Sequence, residues 1–463
     1  MGLDLNVSKC EIICDPSTVI SNAKLRSFQR IATADASLLG APLFQGPVLD
    51  GEWSRRCADM SRAADRLSRI ASQDALLLLR VSFSAPRVQH LLRCSPSAGH
   101  GGLDGFDKSL RSAVNRITNC NLSDSQWIQA SLPVRDGGLG VRRVATLALP
   151  AFLASAASTL PLQDAILSTT HCPPDSFVVS FRTAWSSSFG LQPVGGQSCK
   201  QSVWDRPGIM ADKAVVETAC ANSHQKASFL AAQSPHSGDW LAALPISSCG
   251  LRLGDEAVRV AVAVRLGLDL CVPHACALCD SQVDAWGSHA LVCKRAPGKI
   301  LRHTALNDAI ARAFGSAGVP VKKEPSGLLL NDSKRPDGLT LIPWQSGKPL
   351  TWDVTVATTI ADSYVTQSAT SAGAAAELAA SRKRAKYSDL PASVNFEPMA
   401  FETHGAINTS AIDCFSDIGR RVTLISGDKR ETSFLFQRLS VIVQRFNSIL
   451  LHDSFSVDTD PDL

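Results

Sequence analysis

Length, composition and charge set broad limits on this protein. The chain has 463 residues, of which 45% are hydrophobic and 19% charged. One hydrophobic core rarely serves more than roughly 250 to 300 residues, which argues against a single domain and favours two to four. The formal net charge of +4, from 46 basic and 42 acidic residues, neither requires nor excludes a polyanionic partner, so local clusters must decide.

The cysteines and the apolar runs bear on the compartment. Fourteen cysteines are scattered along the chain, without the spacing of a disulfide framework and without a charged-then-apolar leader before them. This pattern favours a reduced, intracellular protein whose clustered cysteines bind metal. No apolar run is expected to approach the roughly 20 residues that span a bilayer, and DALLLLRV is broken by Arg80. We therefore expect a soluble protein without a membrane partner.

The N-terminal half changes from strand-like to helical patterning. The first residues, MGLDLNVSKCEII, alternate apolar positions and end in a short strand-like run, as if the chain began inside a domain. Helical periodicity follows, and the Gly-rich LPVRDGGLGVRRV and the apolar LALPAFLASAAST complete a predicted helical domain over 51–160. Residues 161–265 are rich in Ser, Pro and Gly and predict a loosely built connector, with helical character resuming at 255–268.

The C-terminal half contains further helices and no internal repeat. We predict a helix over ILRHTALNDAIARAFGSAG, an Ala-rich helix over about 368–387, and an apolar helix over SFLFQRLSVIVQRFNSILL. These helices and two intervening strands form a mixed α and β domain over 301–452, which a tail at 453–463 follows.

A cluster of cysteine and histidine predicts a metal site over 266–300. HACALCDSQVDAWGSHALVC places Cys276 and Cys279 in a C-x2-C pair, and His289 and Cys293 in an H-x3-C pair. One tight turn can present the first pair, and one face of a helical turn can present the second, which suits tetrahedral zinc. Four protein ligands leave no open position, so the zinc would be structural.

Alternatives remain open around this cluster. Cys271 and His274 lie close enough to compete as ligands, and the four side chains could instead be reduced residues of a small core. His303, ten residues beyond Cys293, is expected on a helix surface or at a cap rather than as a fifth ligand.

Two aspartates interrupt a predicted hairpin. KRPDGLTLIPWQSGKPLTWDVTV contains Asp337 and Asp353 within strand-like runs, although aspartate is a poor strand former. An antiparallel hairpin centred on Gln345 would place the two aspartates directly opposite each other. Opposed Cβ atoms lie roughly 4.5 to 5.5 Å apart, so the two charges would repel. A bound Mg²⁺ would remove that penalty.

Strand alternation separates the two faces of the second run. Trp352 and Val354 point to one side, which is expected to be core, while Thr351 and Asp353 point to the other, which could be a metal site. The alternative is a solvated face with two solvated aspartates. Glu324 is a candidate third carboxylate, or else an exposed loop residue.

The order of these motifs resembles a known family. The Cys-Cys-His-Cys knuckle, the helix after it, RPD, WDV and a helix carrying Lys and Tyr resemble the C-terminal part of polyproteins of non-long-terminal-repeat retrotransposons with a restriction-like endonuclease. That endonuclease belongs to the PD-(D/E)xK fold class. The resemblance implies an α/β restriction-endonuclease-like domain in which Asp337, after Pro336, and Asp353 are the catalytic acids that hold Mg²⁺.

Upstream motifs extend the resemblance. GLDLNVSKCE, with Lys9, resembles the last palm motif of such reverse transcriptases, LLGAPL resembles the hairpin after it, and LPVRDGGLGVRR resembles their thumb and connector. The resemblance implies that 1–50 is the end of a truncated palm, 51–160 a thumb-like domain and 161–265 a connector. No paired-aspartate motif occurs in the N-terminal residues, so this chain is not expected to polymerise DNA.

The catalytic lysine departs from the simple pattern. Thr355 stands two residues after Asp353, where the fold class usually has lysine. The family supplies the lysine from the next helix, where Lys383, Lys386 and Tyr387 of SRKRAKYSDL share a face at three- and four-residue spacing. The resemblance implies that Lys386, preferred over Lys383, positions the attacking water and that Tyr387 orients the phosphate. The alternative is a solvated, basic helix end.

The implied activity is Mg²⁺-dependent nicking of target DNA in the nucleus, which primes reverse transcription of element RNA. Basic residues after the last cysteine would contact phosphates. These are Lys294, Arg295, Lys299 and Arg302. Two alternatives are a non-catalytic, zinc-dependent nucleic-acid-binding remnant of such an element and a structural helical protein, which would hold no zinc.

Overall fold

The computed structural model describes residues 6–15, 17–167, 175–328 and 335–456. The protein is a mixed α and β chain in which helices predominate and the sheets are small. It divides into two compact units. The first unit is Met1–Arg69, Leu78–Val114 and Val141–Asp212, and the second is Ile70–Leu77, Asn115–Gly140 and Lys213–Leu463. The predicted boundaries at 160 and 265 do not coincide with the boundaries of these units.

The elements are numbered in chain order. The strands are β1 (Glu11–Ile13), β2 (Gln29–Ile31), β3 (Ser37–Leu38), β4 (Ala41–Pro42), β5 (His274–Ala275), β6 (Gln282–Val283), β7 (Val321–Lys323), β8 (Gly338–Thr340), β9 (Leu350–Ala357) and β10 (Asn395–Glu402). The helices are α1 (Pro47–Leu67), α2 (Ser72–Leu78), α3 (Ala85–Cys94), α4 (Gly101–Thr118), α5 (Asp124–Ser131), α6 (Val144–Leu167), α7 (Ser176–Phe189), α8 (Gln201–Ala219), α9 (Ser223–Ala232), α10 (Asp255–Leu266), α11 (Pro297–Ser316), α12 (Val365–Ser368), α13 (Ala374–Lys386), α14 (Thr409–Ser426) and α15 (Glu431–His452).

Helix α6 is the long apolar helix of the first unit. Its 24 residues are apolar enough that length and composition alone would allow it to cross a membrane. The expectation that no apolar run approaches this length was therefore wrong. Its buried part packs in a cluster with Phe181, Trp185 and Trp204. Asp107 accepts one hydrogen bond from the backbone N–H of each of its first two residues, Val144 and Ala145.

The segment predicted as a loose connector is largely helical. Helices α7, α8 and α9 occupy much of the described part of 161–265. The serine run at 186–188 lies inside α7, whereas VGGQS and QSPHSG lie between helices. Trp185 Nε1 donates to the carbonyl of Trp204 at 3.1 Å, with the two rings edge to face. Buried aromatic residues of this kind make a core of their own. Helix α10 confirms the helical character predicted at 255–268.

The second unit is built on a four-stranded sheet with the order β10-β9-β8-β7. Strands β7, β8 and β9 are successively antiparallel, whereas β10 runs parallel to β9. One face packs against α11, α14 and α15 through large side chains such as Phe314, Trp352 and Phe415. The other face is covered by alanines of α13, because small side chains let a helix approach a sheet closely. Residues 369–373 separate α12 from α13, where a single Ala-rich helix was predicted.

The pairing of β8 with β9 has the predicted register. Gly338 faces Trp352 and Leu339 faces Thr351, so the next pair toward the site is Asp337 and Asp353. A Cβ on Gly338 would lie 2.0 Å from the Trp352 ring, so this position requires glycine. The turn itself lies at Ser346 and Gly347, which have φ values of 50° and 72°, and is therefore not centred on Gln345. Residues 341–343, which belong to no strand, account for the offset between the position of the turn and the register of the strands.

A buried histidine follows β10. His404 Nε2 lies 3.0 Å from the Ser228 hydroxyl, and Nδ1 lies 3.3 Å from the Thr403 hydroxyl. Burial, and next the positive charge of Arg265, lower the pKa of His404 to about 3. The imidazole is therefore neutral in the folded protein at pH values where it is charged in the unfolded chain.

This difference predicts how stability depends on pH. A histidine of the unfolded chain has a pKa of about 6.5, so it binds a proton below that pH whereas His404 in the folded protein does not. Protons therefore favour unfolding, and the free energy of unfolding falls by up to about 1.4 kcal/mol per pH unit. We expect His404→Gln, which cannot titrate, to reduce the loss between pH 6.5 and 4.5 by roughly 2 to 3 kcal/mol. Urea unfolding of both proteins at pH 7.5, 6.5, 5.5 and 4.5 measures the effect, and parallel pH profiles would contradict it.

Candidate functional site

A small hairpin presents the first two residues of the cysteine cluster. Strands β5 and β6 are antiparallel, and beyond them the backbone N–H of Cys276 donates to the carbonyl of Ser281 at 2.9 Å. The turn closes through Asp280, whose φ is 61° and whose N–H donates back to the carbonyl of Cys276. Aspartate tolerates this left-handed conformation better than most residues, and the tight turn brings Cys279 to the same side as Cys276.

A short helical turn presents the second two residues, as predicted. His289 precedes and Cys293 follows the 3₁₀ turn Ala290–Val292. All four ligand atoms lie within 4.8 Å of one another. The Sγ atom of Cys293 lies 3.9 Å from that of Cys276 and 3.7 Å from that of Cys279, and Cys279 Sγ lies 3.1 Å from His289 Nε2.

This arrangement fits zinc. Zn–S bonds of about 2.3 Å in a tetrahedron place sulfur atoms roughly 3.8 Å apart, close to the 3.7 and 3.9 Å observed between the thiols. Hydrogen bonds from Ser281 lower the pKa of the Cys279 thiol to about 6, which favours the thiolate that binds metal. The cluster could therefore hold a metal such as zinc, with all four positions filled by protein.

Neither competing residue joins the cluster. The Cys271 thiol donates to the carbonyl of Asp284 at 3.4 Å. His274 lies between the carbonyl of Val272 and the hydroxyl of Ser454, and its ring stacks on Phe455 with 4.6 Å between ring centroids. Both residues support the knuckle from outside.

The hairpin aspartate Asp337 is held from two sides. The backbone N–H of Val354 donates to its Oδ2 at 2.5 Å, and His303 Nε2 lies 2.9 Å from the same oxygen. The hydrogen bond to Asp337 raises the pKa of His303. Among the described residues, Oδ1 of Asp337 has no hydrogen-bond partner.

Asp353 is buried, with 3% of its surface exposed. Tyr387 donates its hydroxyl to Oδ1 at 2.6 Å, and Lys383 forms a close ion pair with Oδ2. Burial, and next the bond to Asp353, raise the pKa of Tyr387, so the phenol stays protonated. The alternative of a solvated face with two solvated aspartates does not hold for Asp353, because α13 covers that face of β9.

The two candidate lysines differ in what they contact. Lys383, and not Lys386, contacts Asp353. Lys386 is the last residue of α13, where its ammonium lies 3.1 Å from the Tyr387 hydroxyl and 4.6 Å from the centre of that ring. Lys383 and Tyr387, four residues apart, both reach Asp353, as their shared helix face predicts.

His303 was missed as a site residue. The structure places it on the surface of α11 and outside the zinc cluster, as expected, and also in contact with Asp337. Its helical neighbour Asn307 donates to the carbonyl of Asp337 at 3.1 Å and accepts from Trp352 Nε1 at 2.9 Å. Two polar residues four apart on one helix face were the available signal.

The predicted phosphate contacts divide into exposed and buried residues. Lys294 and Lys299 are exposed, and Arg295 is exposed while its Nη1 donates to the carbonyl of Leu278 at 3.1 Å. Arg302 is buried, and burial lowers its pKa to about 10. Its prediction as a phosphate contact was wrong, because its face of α11 packs against α15.

Glu324 matches the loop alternative. Its side chain is exposed, its φ is 46°, and its backbone N–H donates to the carbonyl of Asp337 at 3.1 Å. It supports the hairpin through its backbone.

The fold and the two side-chain clusters together give a coarse description of the protein. The chain is a mixed α and β protein with a Cys₃His cluster that could hold zinc and a second cluster of two aspartates, a lysine, a tyrosine and a histidine on the sheet. Comparison with known proteins finds no matching family model and no matching curated protein. The function must therefore be argued from these residues.

Proposed function

We propose that the protein is a Mg²⁺-dependent DNA endonuclease of the restriction-like class, which nicks target DNA for a retrotransposon. The observation that supports this proposal best is the convergence of Asp337 and Asp353, at the two central strands of the sheet, with Lys383 of the helix that covers them. A pair of acids with a lysine beside the second acid is the arrangement that phosphodiester hydrolysis by this class requires.

The residues of the site have distinct roles in this proposal. Asp337 and Asp353 provide carboxylate oxygens, the ligands that Mg²⁺ prefers. When bound there, Mg²⁺ supplies a nucleophilic water and neutralises charge on the phosphate. Lys383 would donate a hydrogen bond to the attacking water or to a phosphate oxygen. Tyr387 holds Asp353 in place through its hydroxyl, so we assign it to the carboxylate rather than to the phosphate.

Basic side chains around the site would bind the DNA backbone. Arg382, Arg384 and Lys386 are exposed on the last turns of α13. Lys294 and Lys299, which follow Cys293 of the cluster, are also exposed. Each phosphate neutralised by such a residue releases counterions, so we expect binding to weaken steeply with salt. These contacts with the phosphate backbone carry no information about the DNA sequence.

A matched pair of lysine variants tests the proposal. We expect wild-type protein, loaded with zinc, to nick supercoiled plasmid with Mg²⁺, and Lys383→Met to lose roughly 100- to 1,000-fold in rate because the donor beside Asp353 is lost. Lys386→Met lies on the same helix and should retain the rate within about fivefold, as an outer phosphate contact. Equal losses in both variants would contradict the assignment of Lys383.

The experiment also separates the alternative function. Zinc-loaded, folded protein that binds DNA without Mg²⁺ and never nicks it would indicate a binding remnant. Protein that holds no zinc would instead indicate a structural helical protein.

A further inference from the structure

The contact between His303 and Asp337 places a second helix at the proposed catalytic site. His303 lies in the second turn of α11, and its Nε2 lies 2.9 Å from Oδ2 of Asp337. One turn later, Asn307 donates to the carbonyl of Asp337 and accepts from Trp352. The helix is thereby fixed to β8 and β9, so the imidazole is held at a defined distance from the carboxylate.

The two oxygens of Asp337 have different surroundings. Oδ2 receives both the Val354 N–H and His303 Nε2, while Oδ1 has no partner among the residues that the structure describes. Two donors on one oxygen fix the torsion of a carboxylate more firmly than one donor, and they direct the other oxygen away. Ligating carboxylates are commonly oriented by such outer hydrogen bonds, whose loss typically lowers metal affinity or activity about 10- to 100-fold.

We propose that His303 is a positioning residue that orients Asp337 so that its Oδ1 faces the cation. This inference rests on the proposed function, since it takes Asp337 to be a metal ligand. His303 acts through Asp337 and does not touch the substrate. Its side chain is 41% exposed, so its role does not depend on filling the core, and its removal should leave the fold intact.

Direct metal binding tests this role apart from cleavage. Zinc-loaded wild type, His303→Ala and His303→Gln would be titrated with Mn²⁺, a paramagnetic substitute for Mg²⁺, and free Mn²⁺ measured by electron paramagnetic resonance. We expect His303→Ala to weaken Mn²⁺ binding about 10- to 100-fold. Gln supplies an N–H donor of similar reach, so His303→Gln should restore affinity to within about threefold of wild type.

Controls assign the binding to this site and report on folding. The double variant Asp337→Asn with Asp353→Asn should lose the Mn²⁺ site, and Thr304→Ala, an exposed neighbour on α11, should bind as wild type does. Thermal unfolding followed by circular dichroism checks each variant. If His303→Ala does not fold, the comparison of His303→Gln with wild type decides the question.

The outcomes separate the two proposals. Equal Mn²⁺ affinity of wild type and His303→Ala would overturn the positioning role alone, as would His303→Gln that binds as weakly as His303→Ala. Wild type that binds no Mn²⁺ would overturn both the positioning role and the metal site of the proposed function. Protein that binds Mn²⁺ at the aspartates with the expected order of affinities, but does not nick DNA, would support the positioning role and refute the nuclease.

Discussion

Asp353→Asn is expected to abolish Mg²⁺-dependent nicking of plasmid DNA while leaving DNA binding intact. Asparagine keeps the shape of the side chain and an oxygen for the Tyr387 hydroxyl, which donates to Asp353 at 2.6 Å. It cannot provide the negative charge that pairs with Lys383 and that would hold Mg²⁺. Metal-assisted stabilisation of a phosphate transition state contributes several kcal/mol, so we expect a loss of about 1,000-fold or more in rate.

The control for this prediction is another paired aspartate of the same unit. Asp308 forms an exposed ion pair with Lys323 at 2.6 Å, and exposed pairs contribute about 1 kcal/mol or less to stability. Asp308→Asn should therefore nick DNA at the wild-type rate. Zinc content and circular dichroism show whether each variant is folded. Wild-type activity in folded Asp353→Asn would refute the assignment of the metal site and of catalysis to Asp353.

Loss of the cysteine cluster is expected to unfold part of the second unit. Binding of structural zinc contributes roughly 10 to 16 kcal/mol in small zinc domains, and part of that energy is folding energy. Cys276 has 0% and Cys293 2% of its surface exposed. Loss of the metal would therefore leave buried polar groups of the cluster without a bonding partner. We expect wild type to bind one zinc ion per chain, and Cys276→Ser to lose it and to lower the melting temperature by about 10 °C or more.

A neighbouring cysteine provides the matched control. Cys271 lies next to the knuckle, but its thiol donates to the carbonyl of Asp284 instead of joining the cluster. Cys271→Ser keeps a donor at that position and should retain one zinc and a near-wild-type melting temperature. Elemental analysis and differential scanning calorimetry measure both quantities. A zinc-free wild type, or Cys276→Ser with full zinc content, would contradict the assignment.

The features that could be predicted from the sequence depend on short-range geometry. The four cysteine and histidine residues come from two local turns, so their spacing alone brings them together. The register of β8 and β9 follows from a hairpin in which a slip of one residue would move every side chain to the opposite face. Only glycine fits at position 338, because a Cβ there would collide with the Trp352 ring. This requirement further fixes the register.

The features that could not be predicted depend on contacts distant in sequence. Helical spacing places Lys383 and Lys386 near one another, and only the position of α13 over the sheet shows that Lys383 reaches Asp353. Alternation along β9 could not reveal that β10 runs beside it and that α13 covers its second face. For the same reason His303 was read as a surface or capping residue, and Arg302, beside it on α11, was read as a phosphate contact although α15 buries it.

The parallel pairing of β9 with β10 has a consequence for the order of folding. Parallel strands need a crossover connection, and here residues 358–394 form it, with α13 and its lysine inside. The hairpin carrying the two aspartates can close early because its ends are near in sequence, whereas the crossover must first lose the entropy of a longer loop. A refolding chain should therefore acquire its acids before its lysine, and cleavage should be recovered only when β10 has docked.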